Sequence, residues 1–174
     1  MFKISERESR ENRYVYSRIQ SPVGPLTLVA GDRGLRGLLF QNTSIRSGLL
    51  PNSIEMDSHH EFLVQARVQL GEYFDGTRRE FDLPLAYEGT PFQRRVWKLL
   101  MKIPYGETVS YGDIAAELGD PRKARPVGGA VGANPIGIII PCHRVIGKDG
   151  SLTGFGGGLD VKTFLLDLER RNKA

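Results

Sequence analysis

The stretch Asn134-Pro135-Ile136-Gly137-Ile138-Ile139-Ile140-Pro141-Cys142-His143-Arg144-Val145-Ile146 holds the single cysteine of a 174-residue chain, followed at once by one of its three histidines. An apolar run from Ile136 to Ile140 delivers the pair, and Pro135 and Pro141 punctuate it. Proline fixes φ and removes a backbone donor, so no helix is expected to run into Cys142. The thiol is expected at a rigid turn beside buried apolar side chains, either as an inert core residue or as a nucleophile. Adjacent side chains on extended backbone point to opposite sides, so His143 would reach the thiol through a bridging water rather than directly. A histidine acting as base also needs a third group to hold its tautomer, usually a carboxylate, and the residues alone leave that acid open.

Downstream, Thr153-Gly154-Phe155-Gly156-Gly157-Gly158 has four glycines in six residues, which lets backbone approach a flat ligand closely. A closing helix follows, with Val161, Phe164, Leu165 and Leu168 as its apolar face and Glu169 on the border of that stripe. Glu169 beside Arg170 and Arg171 reads equally as a solvated surface carboxylate. Upstream, Thr90 can cap a helix with Pro91 in its first position and Phe92, Val96, Leu99, Leu100 and Ile103 on one face. Trp97 reads as core, and Pro104-Tyr105-Gly106 as the stop. Ser110-Tyr111-Gly112-Asp113 is a capping-box variant opening a short helix through Leu118, closed by Gly119. A third helix is predicted over about 126–133, completing a helix-turn-helix. Its Val127-Gly128-Gly129-Ala130-Val131-Gly132-Ala133 has no side chain able to hydrogen-bond a base edge. Three glycines there cost about 2–3 kcal/mol of helix propensity relative to alanine. Such a surface suits tight helix packing or close approach to a narrow groove, and the residues favour neither.

The first half reads as an antiparallel meander of strands at 13–19, 26–30 and 35–41, after a frayed polar arm over 1–12. Residues 42–58 are polar and irregular, and His59-His60 read as surface residues ahead of a helix over 62–74. Residues 81–85 fit an edge strand that tolerates Pro84. The fold class is thus α+β: a small N-terminal antiparallel sheet plus helix over 1–89, then a mostly helical C-terminal domain over 90–174 with a winged helix-turn-helix-like motif. Nothing in the first half suggests chemistry.

Composition narrows the function classes. No run approaches the ~20 apolar residues of a membrane helix, and the first residues lack the apolar core of a secretion signal, so no membrane partner and a cytoplasmic location are expected. One cysteine allows no internal disulfide, and one Cys with three His makes a structural zinc site unexpected. Residues 1–89 hold 11 basic and 12 acidic side chains, whereas residues 90–174 hold 13 and 8. The positive excess lies in the half carrying Cys142, as contact with phosphates would require.

The Asn134-Pro135 turn and Pro141-Cys142-His143-Arg144-Val145-Ile146, with Ser110-Tyr111, Arg125-Pro126-Val127-Gly128, the glycine loop and Glu169, resemble the O6-alkylguanine-DNA alkyltransferases. Strong motifs cover residues 90 to 170, and the first 90 match only loosely. The resemblance implies a ribonuclease-H-like N-terminal domain supporting a DNA-binding, alkyl-acceptor domain. It implies direct-reversal DNA repair without a cofactor, in which an alkyl group moves irreversibly from O6-alkylguanine, or O4-methylthymine, to Cys142 in one turnover. The partner is double-stranded DNA with its damaged nucleotide flipped out, bound by a monomer with cooperativity on DNA left open.

Catalytic roles then fall to Cys142, His143, Glu169 and Asn134, the last tying down the acceptor turn. Tyr111, the Val145 carbonyl, Phe155 and the Gly156 N–H would hold the flipped base. Arg125 would fill the gap it leaves, and Gly128, Ala130 and Gly132 would face the minor groove. Arg125 on its own reads as an ordinary phosphate contact. Some relatives bind zinc in the N-terminal domain, where this chain has no Cys. Many have Tyr in place of Phe155 and a bulkier residue in place of Gly156, and some have a second proline where this chain has Gly137. Three rival readings remain: a non-catalytic alkyltransferase-like lesion binder, a helix-turn-helix transcription factor, and a thiol hydrolase.

Overall fold

The computed structural model describes residues 13–41, 43 and 54–173. The expectations for 1–12 and for most of 42–58 lie outside those residues. Strands β1 (Val15–Ile19), β2 (Leu26–Gly31) and β3 (Gly34–Phe40) form the expected antiparallel meander. A two-residue β4 (Glu55–Met56) pairs parallel to β1 within the span read as irregular, giving the order β3-β2-β1-β4. The β2–β3 turn needs Gly34, whose φ is +146° and where a Cβ would stand 2.3 Å from the Pro84 carbonyl oxygen. Helix α1 (Glu61–Phe74) covers the sheet with Leu63, Ala66, Leu70 and Tyr73.

The outer edge of β3 is not left open. Leu35 N–H donates to Pro84 O at 2.8 Å, and Ala86 N–H returns a bond to Leu35 O at 2.8 Å. The strand expected over 81–85 reduces to this bridge at Leu85. Further along the same edge, Leu38 N–H donates to Pro135 O at 2.9 Å. The N-terminal sheet thereby grips the segment leading to Cys142 directly, and a single apolar core runs through both halves.

Helix α2 (Pro91–Leu100) starts with a full capping box between Thr90 and Gln93. It ends at Leu100, before Pro104. Ser110 and Asp113 form the second capping box, opening α3 (Tyr111–Glu117), and Gly119 closes it at φ +98°. A 3₁₀ turn over Pro121–Lys123 leads into α4 (Ala124–Gly132), which starts two residues earlier than expected and so includes Arg125 in its first turn. Val127, Ala130 and Val131 face inward, and Trp97 Nε1 donates to Ala130 O at 2.8 Å. Two-residue strands β5 (Val109–Ser110) and β6 (Val145–Ile146) pair in parallel beside this motif, and α5 (Leu159–Arg171) closes the chain. No helix among the described residues is long and apolar enough to cross a membrane.

Candidate active site

Two tight turns deliver Cys142. Ile139 N–H donates to Gly137 O at 2.8 Å across Ile138, which sits at φ +70°. A β-branched residue in that region is strained by about 1–3 kcal/mol, so its surroundings must enforce it. Asn134 does much of this: its Oδ1 accepts from Ile136 N–H at 3.0 Å and its Nδ2 donates to Ile140 O at 2.8 Å. Pro141, at φ −81° and ψ 64°, then forms an inverse γ-turn closed by Cys142 N–H to Ile140 O at 2.8 Å. Cys142, His143 and Arg144 follow as a buried 3₁₀ turn.

Behind the thiol lies a saturated carboxylate. Glu169, wholly buried on α5, accepts at Oε1 from His143 Nε2 (2.7 Å), Tyr73 Oη (2.8 Å) and Arg144 Nη2 (2.9 Å). Its Oε2 accepts from Arg144 Nε (2.9 Å) and Gly106 N–H (3.1 Å). Burial alone would raise this carboxyl. The His143 bond and the two-pronged Arg144 guanidinium outweigh it and hold the group down at about 2. Burial pushes the His143 imidazole below its ordinary value against the pull of Glu169, so the ring is neutral at pH 7. With Nε2–H directed at the carboxylate, Nδ1 is left as a buried acceptor with no hydrogen-bond partner among the described residues.

Burial also pushes the Cys142 thiol up, opposed by the Asn134 side chain, the Lys162 charge and the N–H groups of Cys142 and His143. At rest the sulfur therefore keeps its proton, and it needs a base to become a nucleophile. Lys162, itself buried on α5, donates from Nζ to Val145 O at 2.6 Å and to Thr153 O at 3.0 Å. One lone pair of the Val145 carbonyl, expected to bind the guanine amine, is thus already used.

Cys142 and Asn134 line a cavity of about 260 Å³ together with Phe155, Gly156 and, from the N-terminal half, Phe40 and Thr43. The cavity adjoins an open groove bordered by Tyr111, Arg125, Gly128 and Thr153 through shared walls at Gly132, Gly154, Phe155 and Gly156. Tyr111 Oη is hydrogen-bonded to Thr153 Oγ1 at 2.8 Å. Every sequence-predicted site residue except Ala130 and Val145 falls on this cavity, this groove or the carboxylate cluster behind; Val145 is buried outside all three, with its carbonyl bonded to Lys162. Ala130 is a correction: it is 3% exposed and packs inward, and Gly129 takes its place on the outer face beside Gly128 and Gly132. Four residues escaped the sequence reading of the site: Tyr73, Arg144, Lys162 and Phe40. The first half, where the sequence suggests no chemistry, reaches this cluster through the Tyr73 hydroxyl. Lys162 did leave a signal, a cation three residues before Leu165 and seven before Glu169 on one helical face.

A small-residue helix-turn-helix lies beside a buried cysteine whose neighbouring histidine is paired with a buried carboxylate, which joins a DNA-binding motif to a candidate nucleophile. Models of the 6-O-methylguanine DNA methyltransferase family match in two parts, the ribonuclease-like domain over residues 14–87 and the DNA binding domain over 91–171. A methylated-DNA–protein-cysteine methyltransferase of Methanosarcina barkeri is 50% identical over 157 residues, covering 90% of this chain and 98% of that protein. An inducible one of Bacillus subtilis is 55% identical over 146 residues, or 79% and 81% of the two chains. The crystal structure of Mycobacterium tuberculosis OGT in complex with DNA superposes with a TM-score of 0.81 at 48% identity, over 92% of this chain and 94% of that one. The chain belongs to the 6-O-methylguanine DNA methyltransferase family. Membership makes it a DNA-binding methyltransferase of DNA repair.

Proposed function

We propose that this protein repairs O6-alkylguanine in duplex DNA by moving the alkyl group onto Cys142 Sγ, once per molecule. The observation that carries this is the position of Cys142, in the wall of a cavity opening onto the groove beside α4, with the His143–Glu169 pair behind it. The acceptor atom is then reachable only by a nucleotide turned out of the helix, at a cost of a few kcal/mol. Arg125, exposed at the start of α4, stands where it can enter the stack or hold a phosphate.

In the transfer step His143 Nδ1 takes the thiol proton through a bridging water while Glu169 holds the ring. The thiolate attacks the alkyl carbon, an S–C bond forms, and the C–O6 bond breaks with its electron pair passing to the base. The base takes up a proton and leaves as guanine, so the net change exchanges S–H and O–alkyl for S–alkyl and guanine N–H. The Gly156 N–H and Tyr111 Oη supply hydrogen bonds to the base as charge grows on it. A thioether has no thiol partner in a chain with one cysteine, so the reaction ends there.

O4-methylthymine presents the same alkyl–oxygen bond and fits the same chemistry. A monomer in the cytoplasm, divided into a supporting domain over 1–89 and an acceptor domain over 90–174, completes the reading. Titrating protein against a duplex with one O6-methylguanine tests it. Repair should plateau at one guanine restored per chain. Restoration of several guanines per chain would mean true turnover and overturn the proposal.

A further inference from the structure

Phe40 ends β3 and carries the N-terminal half into the acceptor cavity. Its ring is clamped between two glycines on different loops. A Cβ added at Gly137 would lie 2.8 Å from Phe40 Cε2, and one added at Gly157 would lie 2.9 Å from Cγ and Cδ1. The ring also meets Phe155 edge-on, with centroids 5.4 Å apart. The acceptor turn, the glycine loop and β3 therefore converge on one phenyl ring.

That ring also divides two spaces. On one side is the cavity of about 260 Å³ that Cys142 lines. On the other is a second cavity of about 540 Å³ over the sheet, bordered by Tyr16, Arg18 and Thr27. Leu39, Phe40 and Thr43 are the walls common to both, and of these Phe40 has the largest side chain. The groove that would admit the base meets the first cavity at Gly132, Gly154, Phe155 and Gly156, and Phe40 is not among its walls. A substituent on O6 that passes Cys142 thus runs toward Phe40.

Resting on the alkyl-transfer reading above, we propose that Phe40 is the specificity-determining residue that limits the size of the O6 substituent this protein accepts. A methyl group ends short of the ring. A benzyl or longer alkyl group needs the space the ring fills, and Gly137 and Gly157 hold the ring against being pushed aside. Removing it joins the two cavities.

The test compares single-turnover rates on duplexes carrying O6-methylguanine or O6-benzylguanine, for the wild type, Phe40→Ala and Phe40→Leu. The benzyl-to-methyl ratio should rise by about tenfold or more in Phe40→Ala, and by less in Phe40→Leu, which keeps part of the wall. The ratio cancels any loss common to both substrates, and Phe40→Leu carries the test should the alanine variant fail to fold. An unchanged or lower ratio would make the ring a structural prop and overturn the proposal. A wild type that transfers neither group would instead overturn the alkyl-transfer reading beneath it.

Discussion

Tyr73 on α1 donates its hydroxyl to Glu169 Oε1 at 2.8 Å, the same oxygen that accepts from His143 Nε2 at 2.7 Å. The two residues stand 96 positions apart, in different halves of the chain. The N-terminal half therefore takes part in aiming the carboxylate that orients the candidate base. Because Glu169 keeps four other donors, Tyr73→Phe should cost only about 1 kcal/mol of stability. Glu169→Gln should cost more, about 3–5 kcal/mol, since it leaves the buried Arg144 guanidinium uncompensated. Methyl-transfer rates should fall in the same order, modestly in Tyr73→Phe and by about 100-fold or more in Glu169→Gln. Denaturant melts and single-turnover rates on the two variants check both.

Acid should unfold the protein in two stages. The His143 pKa is depressed in the fold, so the folded state binds fewer protons than the unfolded one. Stability from this group is complete above the unfolded value of 6.5 and is lost as pH falls below it. Glu169 is depressed from 4.5 to about 2, and its contribution is lost across that lower window. The second stage amounts to about 3 kcal/mol. Melting temperature measured from pH 8 to pH 3 should fall gently below 6.5 and steeply below 4.5. A flat profile would contradict the charge states assigned to the pair.

Lys162 acts on the thiol by charge and on the pocket by two carbonyls. Lys162→Met keeps an unbranched side chain one atom shorter and removes both effects. The buried Val145 carbonyl and the part-buried Thr153 carbonyl lose their donor, a loss of about 1–3 kcal/mol. The Cys142 thiol loses a stabilising positive field, so the rise of transfer rate with pH should move to higher pH. A profile that stays in place would restrict Lys162 to holding the Thr153 loop.

Gly129 separates folding from DNA contact. Nothing lies within 4 Å of a Cβ placed there, on the outer face of α4. Gly129→Leu should therefore gain about 0.5–1 kcal/mol in helix propensity. If this face lies against a narrow groove, the same change should weaken duplex binding by about tenfold or more, equivalent to about 1.4 kcal/mol. Melting and fluorescence anisotropy on one preparation measure both. A stabilised variant with unchanged affinity would show that the face meets no DNA.

What could be read from the sequence was governed by range. The Thr90 cap and the Ser110–Asp113 capping box are local, each spanning four residues, and both are present. The meander and α1 follow from period alone. The β1–β4 pairing and the bonds from Leu35 to Pro84 and Leu38 to Pro135 join distant segments and leave no local pattern. In sequence Tyr73 is one more apolar position at helical spacing, and only the fold brings Glu169 to its hydroxyl. Ala130 lies on the buried face, and a helix of glycine, alanine and valine offers little polar contrast from which its phase could be read. Ile138 at φ +70° breaks a backbone rule that no side-chain pattern announces. The Cys142–His143 pair and the border position of Glu169 were legible, and the structure joins His143 to Glu169 at 2.7 Å.

The central claim is that Cys142 accepts the alkyl group. Intact mass of the protein after incubation with a duplex carrying one O6-methylguanine, followed by peptide mapping, tests it most directly. The account predicts a gain of one methyl group, located on Cys142, saturating at one per chain and absent in Cys142→Ser. A duplex that is bound while the protein mass stays unchanged, or a methyl group found elsewhere, would contradict it.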